Sequence, residues 1–210
     1  MPFYKDFVYP YLVDQLGDPP PINKVRQQLI PFAQGKVLEI GAGSGANFPR
    51  YNSTRVDKLY ALEPNPGMIR LAQRQQRRTK LNIEFLDLPG ERIPLEDESV
   101  DTVVSTFTLC TIADLAAALS GIARVLKPDG KLIFFELGLS PDSRVQGWQK
   151  RLEPIYKWLF QGLYLTRNIP SLIMQSGFQI NQIESGYLAK FPKSLSYCWW
   201  GTALKSTKND

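Results

Sequence analysis

Lys36-Val37-Leu38-Glu39-Ile40-Gly41-Ala42-Gly43-Ser44-Gly45 passes from an apolar run, through an acid, into glycines on alternate positions. Val37, Leu38 and Ile40 are the aliphatic residues of a strand buried on both faces, and the glycines let the backbone turn tightly and approach a ligand closely. Gly41-x-Gly43-x-x-Ala46 also satisfies the loose dinucleotide fingerprint, so nicotinamide or flavin is one reading, and a ligand-free glycine turn is another. A second apolar run, Lys58-Leu59-Tyr60-Ala61-Leu62-Glu63, closes on an acid 18 residues after Gly45. A carboxylate there can accept both hydroxyls of a ribose, which suits more than one nucleoside cofactor. The alternative is an acid facing the N-terminus of the next helix.

Further strands are expected at Ile83–Asp87, Ser99–Ser105 and Leu132–Glu136. Asp114 is a candidate N-cap for a helix with Leu115, Ala118, Leu119, Ile122 and Leu126 at helical spacing, and Pro128-Asp129-Gly130 turns the chain toward the fifth strand. Strand and helix patterns alternating from residue 36 to 136 imply a parallel sheet covered on both faces, with its ligand site at the carboxyl ends of the strands. Gly41, Glu63, Asp87, Thr106 and Glu136 fall at five such ends. Strands near Phe178–Glu184 and Ser196–Ala203 supply a closing hairpin.

Glu39 two residues before Gly41, with the third glycine at 45, gives Glu-x-Gly-x-Gly-x-Gly, which resembles motif I of the class I S-adenosylmethionine-dependent methyltransferases of the type 11 group. Pro64-Asn65-Pro66-Gly67-Met68 resembles the turn after that family's second strand, and Ala123–Leu132 resembles its helix, turn and fifth strand. The resemblance implies an α/β fold, a Rossmann-like three-layer sandwich whose seven-stranded sheet is mostly parallel with an antiparallel last strand, under an aromatic helical lid. It implies S-adenosylmethionine as methyl donor and S-adenosylhomocysteine as product. Glu39, Gly41, Ala42, Gly43, Gly45, Glu63, Pro64, Met68, Gly90, Glu91 and Thr106 are the residues it assigns to the cofactor. Pro89 stands where many members carry an adenine-binding acid, leaving the Gly90 backbone, Glu91 or Asp87 for that task.

A narrower resemblance, to the methyltransferase-like thiol S-methyltransferases and their bacterial relatives, runs from about residue 36 to 205. It rests on Thr108-Leu109-Cys110-Thr111, Phe135-Glu136, Trp148-Gln149 with Leu152 and Pro154, Leu159-Phe160, Gly162 and Leu165-Thr166-Arg167. Three departures stand out: Glu63 where those enzymes usually have Asp, Leu137 where they have His, and no N-terminal hydrophobic anchor. The last leads to the expectation of a soluble chain.

At 210 residues and 43% hydrophobic, the chain can bury a core without disulfides or metals. It is read as one domain: a helical extension over 1–35, a cofactor core over 36–137, a helical lid over 138–176 and closing strands over 177–210. Two cysteines, Cys110 and Cys198, make no disulfide framework, and a chain without histidine has no metal-ligand spacing. With no signal peptide and no long apolar run, the expected location is cytoplasmic.

Substrate choice falls to segments outside the core, an aromatic stretch at Phe3–Leu12 and the aromatics between Trp148 and Tyr164. These either roof an apolar pocket and face the sulfonium, or pack a lid helix onto the sheet. Tyr11, Leu109, Glu136, Trp148, Tyr156 and Arg167 are the candidate pocket residues. Glu136, Asp87 and Cys110 are the candidates for catalysis, with a small buried thiol the simpler reading of Cys110. A free thiol with a pKa of about 8.5 is already a few per cent thiolate at neutral pH, whereas a phenol at about 10 is scarcely ionised. A site without histidine therefore suits a small-molecule thiol. The alternatives are N- or O-methylation of a phospholipid, quinone or other apolar molecule, then RNA, then a non-catalytic cofactor-binding protein. Arg70, Arg74, Arg77, Arg78 and Lys80 form a basic face in a chain of net charge +5, read as solvated rather than as a nucleic-acid site. The aromatic N-terminus leaves room for peripheral membrane contact. A monomer or weak dimer is expected.

Overall fold

Val37, Leu38 and Ile40 are fully buried in β1 (Gly35–Ile40), an interior strand of a computed structural model that describes residues 10, 18–160 and 162–206. Strand β1 pairs in parallel with β2 (Val56–Leu62) on one side and β4 (Val100–Thr106) on the other. Adding β3 (Ile83–Leu86), β5 (Leu126–Leu137), β6 (Phe178–Tyr187) and β7 (Tyr197–Lys205) gives a seven-stranded sheet of order β3-β2-β1-β4-β5-β7-β6. Of these, β7 alone runs against the others, antiparallel to both β5 and β6. This is the expected Rossmann-like sheet with its last strand reversed.

Alternation along β1 sends side chains to two different layers. Leu38 and Ile40 pack with Val103, Phe134 and the apolar sides of α3 (Leu115–Val125) and α5 (Ile169–Gln175). Val37 packs on the other face with Ile30, which follows α1 (Pro20–Leu29), and with Ala72 of α2 (Pro66–Gln76). Glu39 shares the face of Val37, so its carboxylate is carried toward α1.

Local chemistry sets the boundaries. Asn65 caps α2 by accepting from Gly67 and Met68 N–H with Pro66 in the first turn, and Asp114 caps α3 through Ala117 N–H, as expected. The helix ends one residue sooner than its apolar spacing suggests. Leu126 already pairs with Val100, and the register shift before Lys131 absorbs Pro128-Asp129-Gly130 inside β5. After the glycine loop no α-helix intervenes between β1 and β2. The chain makes only a single 3-10 turn, Phe48–Arg50, because Phe48 and Tyr51 are the only apolar anchors in this stretch and both fill the core beneath it.

The polar edge strand β6, with Gln179, Asn181, Gln182 and Glu184 exposed, blunts that side of the sheet. At the other end of the strands, register aligns Ile40 with Leu62 and with Ser105, so the loops after β1, β2 and β4 open side by side. The chain crosses over between β1 and β4, which is where an open α/β sheet leaves a crevice.

Candidate active site

A cavity of about 560 Å³ occupies that crevice. Its floor is the glycine loop. Gly41 has φ +66°, and a Cβ there would strike Thr108 Oγ1, so no other residue fits without moving the loop after β4. Gly43 has φ +56° and open space in front of it, so its bare backbone forms part of the cavity wall. Gly45 differs: a Cβ at that position would lie 2.8 Å from the Phe48 ring and 3.2 Å from Ala72 Cα, and Gly45 is absent from the lining. It closes the turn against α2 rather than facing a ligand. Of the remaining residues assigned to the cofactor, Glu39, Gly41, Ala42, Gly43, Glu63, Pro64, Met68, Gly90, Glu91 and Thr106 all line the cavity, together with Pro89.

Two buried carboxylates face this floor. Glu63, at the end of β2, accepts from Gly43 N–H and Asn65 N–H, each at 2.9 Å, which leaves lone pairs on both oxygens for further donors. Burial pushes it up to about 7 against those two bonds. Glu39 accepts from Asn47 Nδ2 and Tyr51 Oη, each at 2.8 Å, and burial again raises it to about 7. Asn47 Nδ2 also donates to Thr106 Oγ1 at 3.1 Å, tying the ends of β1 and β4 together.

Two further polar groups line the cavity incompletely paired. Asn47 Oδ1 is buried and accepts no hydrogen bond among the described residues. Arg26 of α1 is 6% exposed, its Nε and Nη1 donate no hydrogen bond among the described residues, and Asp18 Oδ1 stands 4.0 Å away. Burial lowers its pKa against the fields of Asp18 and Glu39. A buried orphan acceptor beside an acid, and a buried orphan donor fork nearby, complement a ligand that carries an ammonium and a carboxylate.

The other end of the cavity is apolar. Phe107, Leu137, Phe160, Leu163, Leu188, Phe191 and Leu195 surround it. Phe107 holds the left-handed φ of +55°, unusual for an aromatic residue, with its N–H donating to Phe135 O at 2.8 Å and its ring 6.0 Å from the Arg26 guanidinium.

Several candidates stand elsewhere. Glu136 is completely buried behind the cavity and accepts from Ser105 Oγ at 2.7 Å and from Thr108 and Cys110 N–H at 3.1 Å. Those bonds hold the loop after β4, and Glu136 is absent from the cavity lining. Asp87 is exposed and off the cavity, because the chain leaves the sheet directly after Leu86. Cys110 does line the cavity, but burial and the neighbouring Glu136 push its thiol far above the range of a neutral-pH nucleophile. Leu109 is buried in the core beside Ile112 and Leu115. Tyr156 stacks on Phe160 at 5.9 Å and supports the wall from behind. Arg167 donates to Leu109 O at 2.5 Å and Ala113 O at 3.3 Å, stapling that loop from outside, in a separate groove. Trp148 points to solvent from α4 (Ser143–Leu159), 57% exposed. Tyr11 lies outside the described residues.

Residues 38–134 match the methyltransferase domain family, and the rat thiol S-methyltransferase TMT1B is 35% identical over 152 residues, 70% of this chain and 62% of its own length. The chain carries a methyltransferase domain over these residues. It spans less than two thirds of the curated relative's length. A chain of the Haloferax volcanii complex between the Trm112 methyltransferase activator and a methyltransferase superposes with TM-score 0.70 at 16% identity, covering 96% of this chain and 94% of that one. The [4+2]-cyclase SpnF superposes at 0.69 and 15%, covering 89% and 80%, so this methyltransferase fold by itself does not specify a reaction. S-Adenosylmethionine is the family's cofactor. Its zwitterionic methionine end and ribose diol fit the orphaned Arg26 and Asn47 atoms and the spare lone pairs of Glu63.

Proposed function

We propose that this methyltransferase transfers a methyl group to the sulfur of a small, apolar thiol. The observation that carries the reading is the apolar end of the cavity: apart from the high-pKa Cys110, it offers no proton acceptor among the described residues, which suits an acceptor that ionises by itself, as a thiol does near neutral pH. When bound, S-adenosylmethionine would supply an electrophilic methyl on its sulfonium, and a thiolate would form the new carbon–sulfur bond as the methyl–sulfonium bond breaks, giving a thioether and S-adenosylhomocysteine. Glu39 with Asn47, and Arg26 opposite, orient the methionine end. Glu63 receives the ribose hydroxyls, and Gly90 and Glu91 stand at the adenine end in place of the acid that Pro89 replaces.

Leu137, Phe160, Leu163, Leu188, Phe191 and Leu195 exclude water around the acceptor. Alignment and desolvation of a thiolate then provide most of the acceleration. The Thr108 and Thr111 hydroxyls donate to backbone carbonyls at 3.2 Å and 2.8 Å, so neither serves as a base. The similarity to thiol S-methyltransferases supports the same acceptor class.

Labelled cofactor incubated with parallel panels of thiols, phenols, amines, phospholipid and RNA tests the assignment. Label is expected on apolar thiols, with a rate that climbs with the thiolate fraction up to a pH of about 8.5. Label on phenols, lipid or RNA but never on a thiol overturns it.

A further inference from the structure

Helix α4 keeps apolar residues on both of its sides. Val145 and Gln149 are buried and Leu152 and Tyr156 half-buried on the side that packs inward. On the opposite side Trp148, Ile155 and Trp158 are 57%, 58% and 82% exposed. Helical periodicity sets Arg144 and Arg151 in the same row, with Lys150 beside it. Arg151 lies 5.7 Å from the Trp148 ring centre. The single carboxylate within the helix, Glu153, is turned away and held by Thr166 N–H at 2.9 Å and Lys157 Nζ at 3.0 Å. The outward row therefore combines two indoles and an isoleucine with cations and no anion.

We propose that this face of α4 docks on the surface of an anionic lipid bilayer. Indoles are favoured at the level of lipid headgroups, guanidinium groups pair with lipid phosphates while their stems lie along the apolar boundary, and a helix with this division of residues rests in the interface plane. No described helix is long and apolar enough to cross a membrane. Single-stranded nucleic acid would need successive flat rings to stack on, and Ile155 with the exposed Pro154 breaks the row between the two indoles. The helix runs out at Leu159, and Phe160 immediately after it lines the cavity. Docking through α4 brings the apolar end of the cavity close to the layer in which apolar acceptors accumulate. The inference does not depend on the thiol assignment, since binding is read without any acceptor.

Flotation of the full chain with vesicles of phosphatidylcholine, alone or mixed with phosphatidylglycerol, tests it. The wild type is expected to float with the mixed vesicles. Each basic residue near an anionic surface strengthens binding about fivefold, so Arg144→Gln/Lys150→Gln/Arg151→Gln should weaken it by roughly a hundredfold. Trp148→Ser/Ile155→Ser/Trp158→Ser should abolish flotation. Both triple variants should keep the melting temperature and the calorimetric affinity for S-adenosylmethionine, because the altered side chains face solvent. A wild type that stays in solution with both vesicles, variants that float like wild type, or retention of single-stranded RNA instead of vesicles overturns the proposal.

Discussion

Gly43 N–H donates to Glu63 Oε2 at 2.9 Å, so the tip of the loop after β1 is pinned to the acid at the end of β2. This bond joins two residues that the cofactor reading treats separately. It makes the shape of the cavity floor depend on the carboxylate proposed to receive the ribose hydroxyls.

Gly43→Val places a β-branched side chain at φ +56°, where ordinary residues pay about 1–2 kcal/mol, and projects it into the cavity. Glu63→Ala strands the Gly43 and Asn65 N–H groups and removes a charged acceptor, worth about 1.5–3 kcal/mol. Calorimetry should find no measurable S-adenosylmethionine binding for the first variant, and at least a roughly tenfold loss for the second. Wild-type affinity in both defeats the site assignment.

Acidity gives an independent check. Burial holds Glu39 and Glu63 at about 7, above their value in the unfolded chain, so the free folded protein binds the extra protons. Their contribution to stability is complete below the unfolded carboxylate pKa and is lost as pH rises through about 7, each tenfold difference in proton affinity between the two states being worth roughly 1.4 kcal/mol. Thermal unfolding of the cofactor-free protein should therefore show stability from these groups falling between mildly acidic and neutral pH. An ammonium beside Glu39 and hydroxyl donors on Glu63 favour the ionised forms, so cofactor binding just below neutrality should release protons. Binding heats that do not vary with the ionisation enthalpy of the buffer would exclude this.

Arg26→Met keeps length and apolar contact but removes the buried donor fork. Affinity for S-adenosylmethionine should drop about 10- to 100-fold, the worth of a charged hydrogen bond. Decarboxylated S-adenosylmethionine should bind wild type and variant alike. An equal loss for both ligands would show that the guanidinium does not hold the carboxylate.

Glu136→Gln separates a clamp from a base. The amide can no longer accept on both sides, leaving Thr108 or Cys110 N–H unsatisfied at about 1–3 kcal/mol. The melting temperature should fall, while the pH profile of turnover measured below it keeps its shape. A general base lost instead would lower kcat by about 10²–10⁴ and flatten that profile.

The glycine loop, the acids at 39 and 63 and the positions of the strands along the chain are legible because each is local. A buried strand shows as consecutive aliphatic residues, and a tight turn shows as glycine where φ is positive, as at Gly41. Aromatic density between Trp148 and Tyr164 does not by itself tell pocket wall from lid packing, because helical period sends Tyr156 inward and Trp158 outward only two residues apart, while Phe160 lines the cavity. Projecting those aromatics on a helix separates wall support from surface.

Arg26 gives no signal of its own, being one of two basic residues on α1, next to Gln27 and Gln28. Its importance comes from burial next to Glu39, a residue from a different layer. Leu188, Phe191 and Leu195 sit between β6 and β7, and they reach the cavity because β7 pairs with β5. Glu136 stands at the end of its strand as expected, yet three donors from β4 and the loop after it consume its lone pairs. Chain-local backbone and side-chain preferences thus fixed the sheet and the glycine loop, whereas the burial of Arg26 and Asn47 beside Glu39, the apolar wall and the clamping of the loop after β4 by Glu136 came from packing between distant segments, which no spacing along the chain encodes.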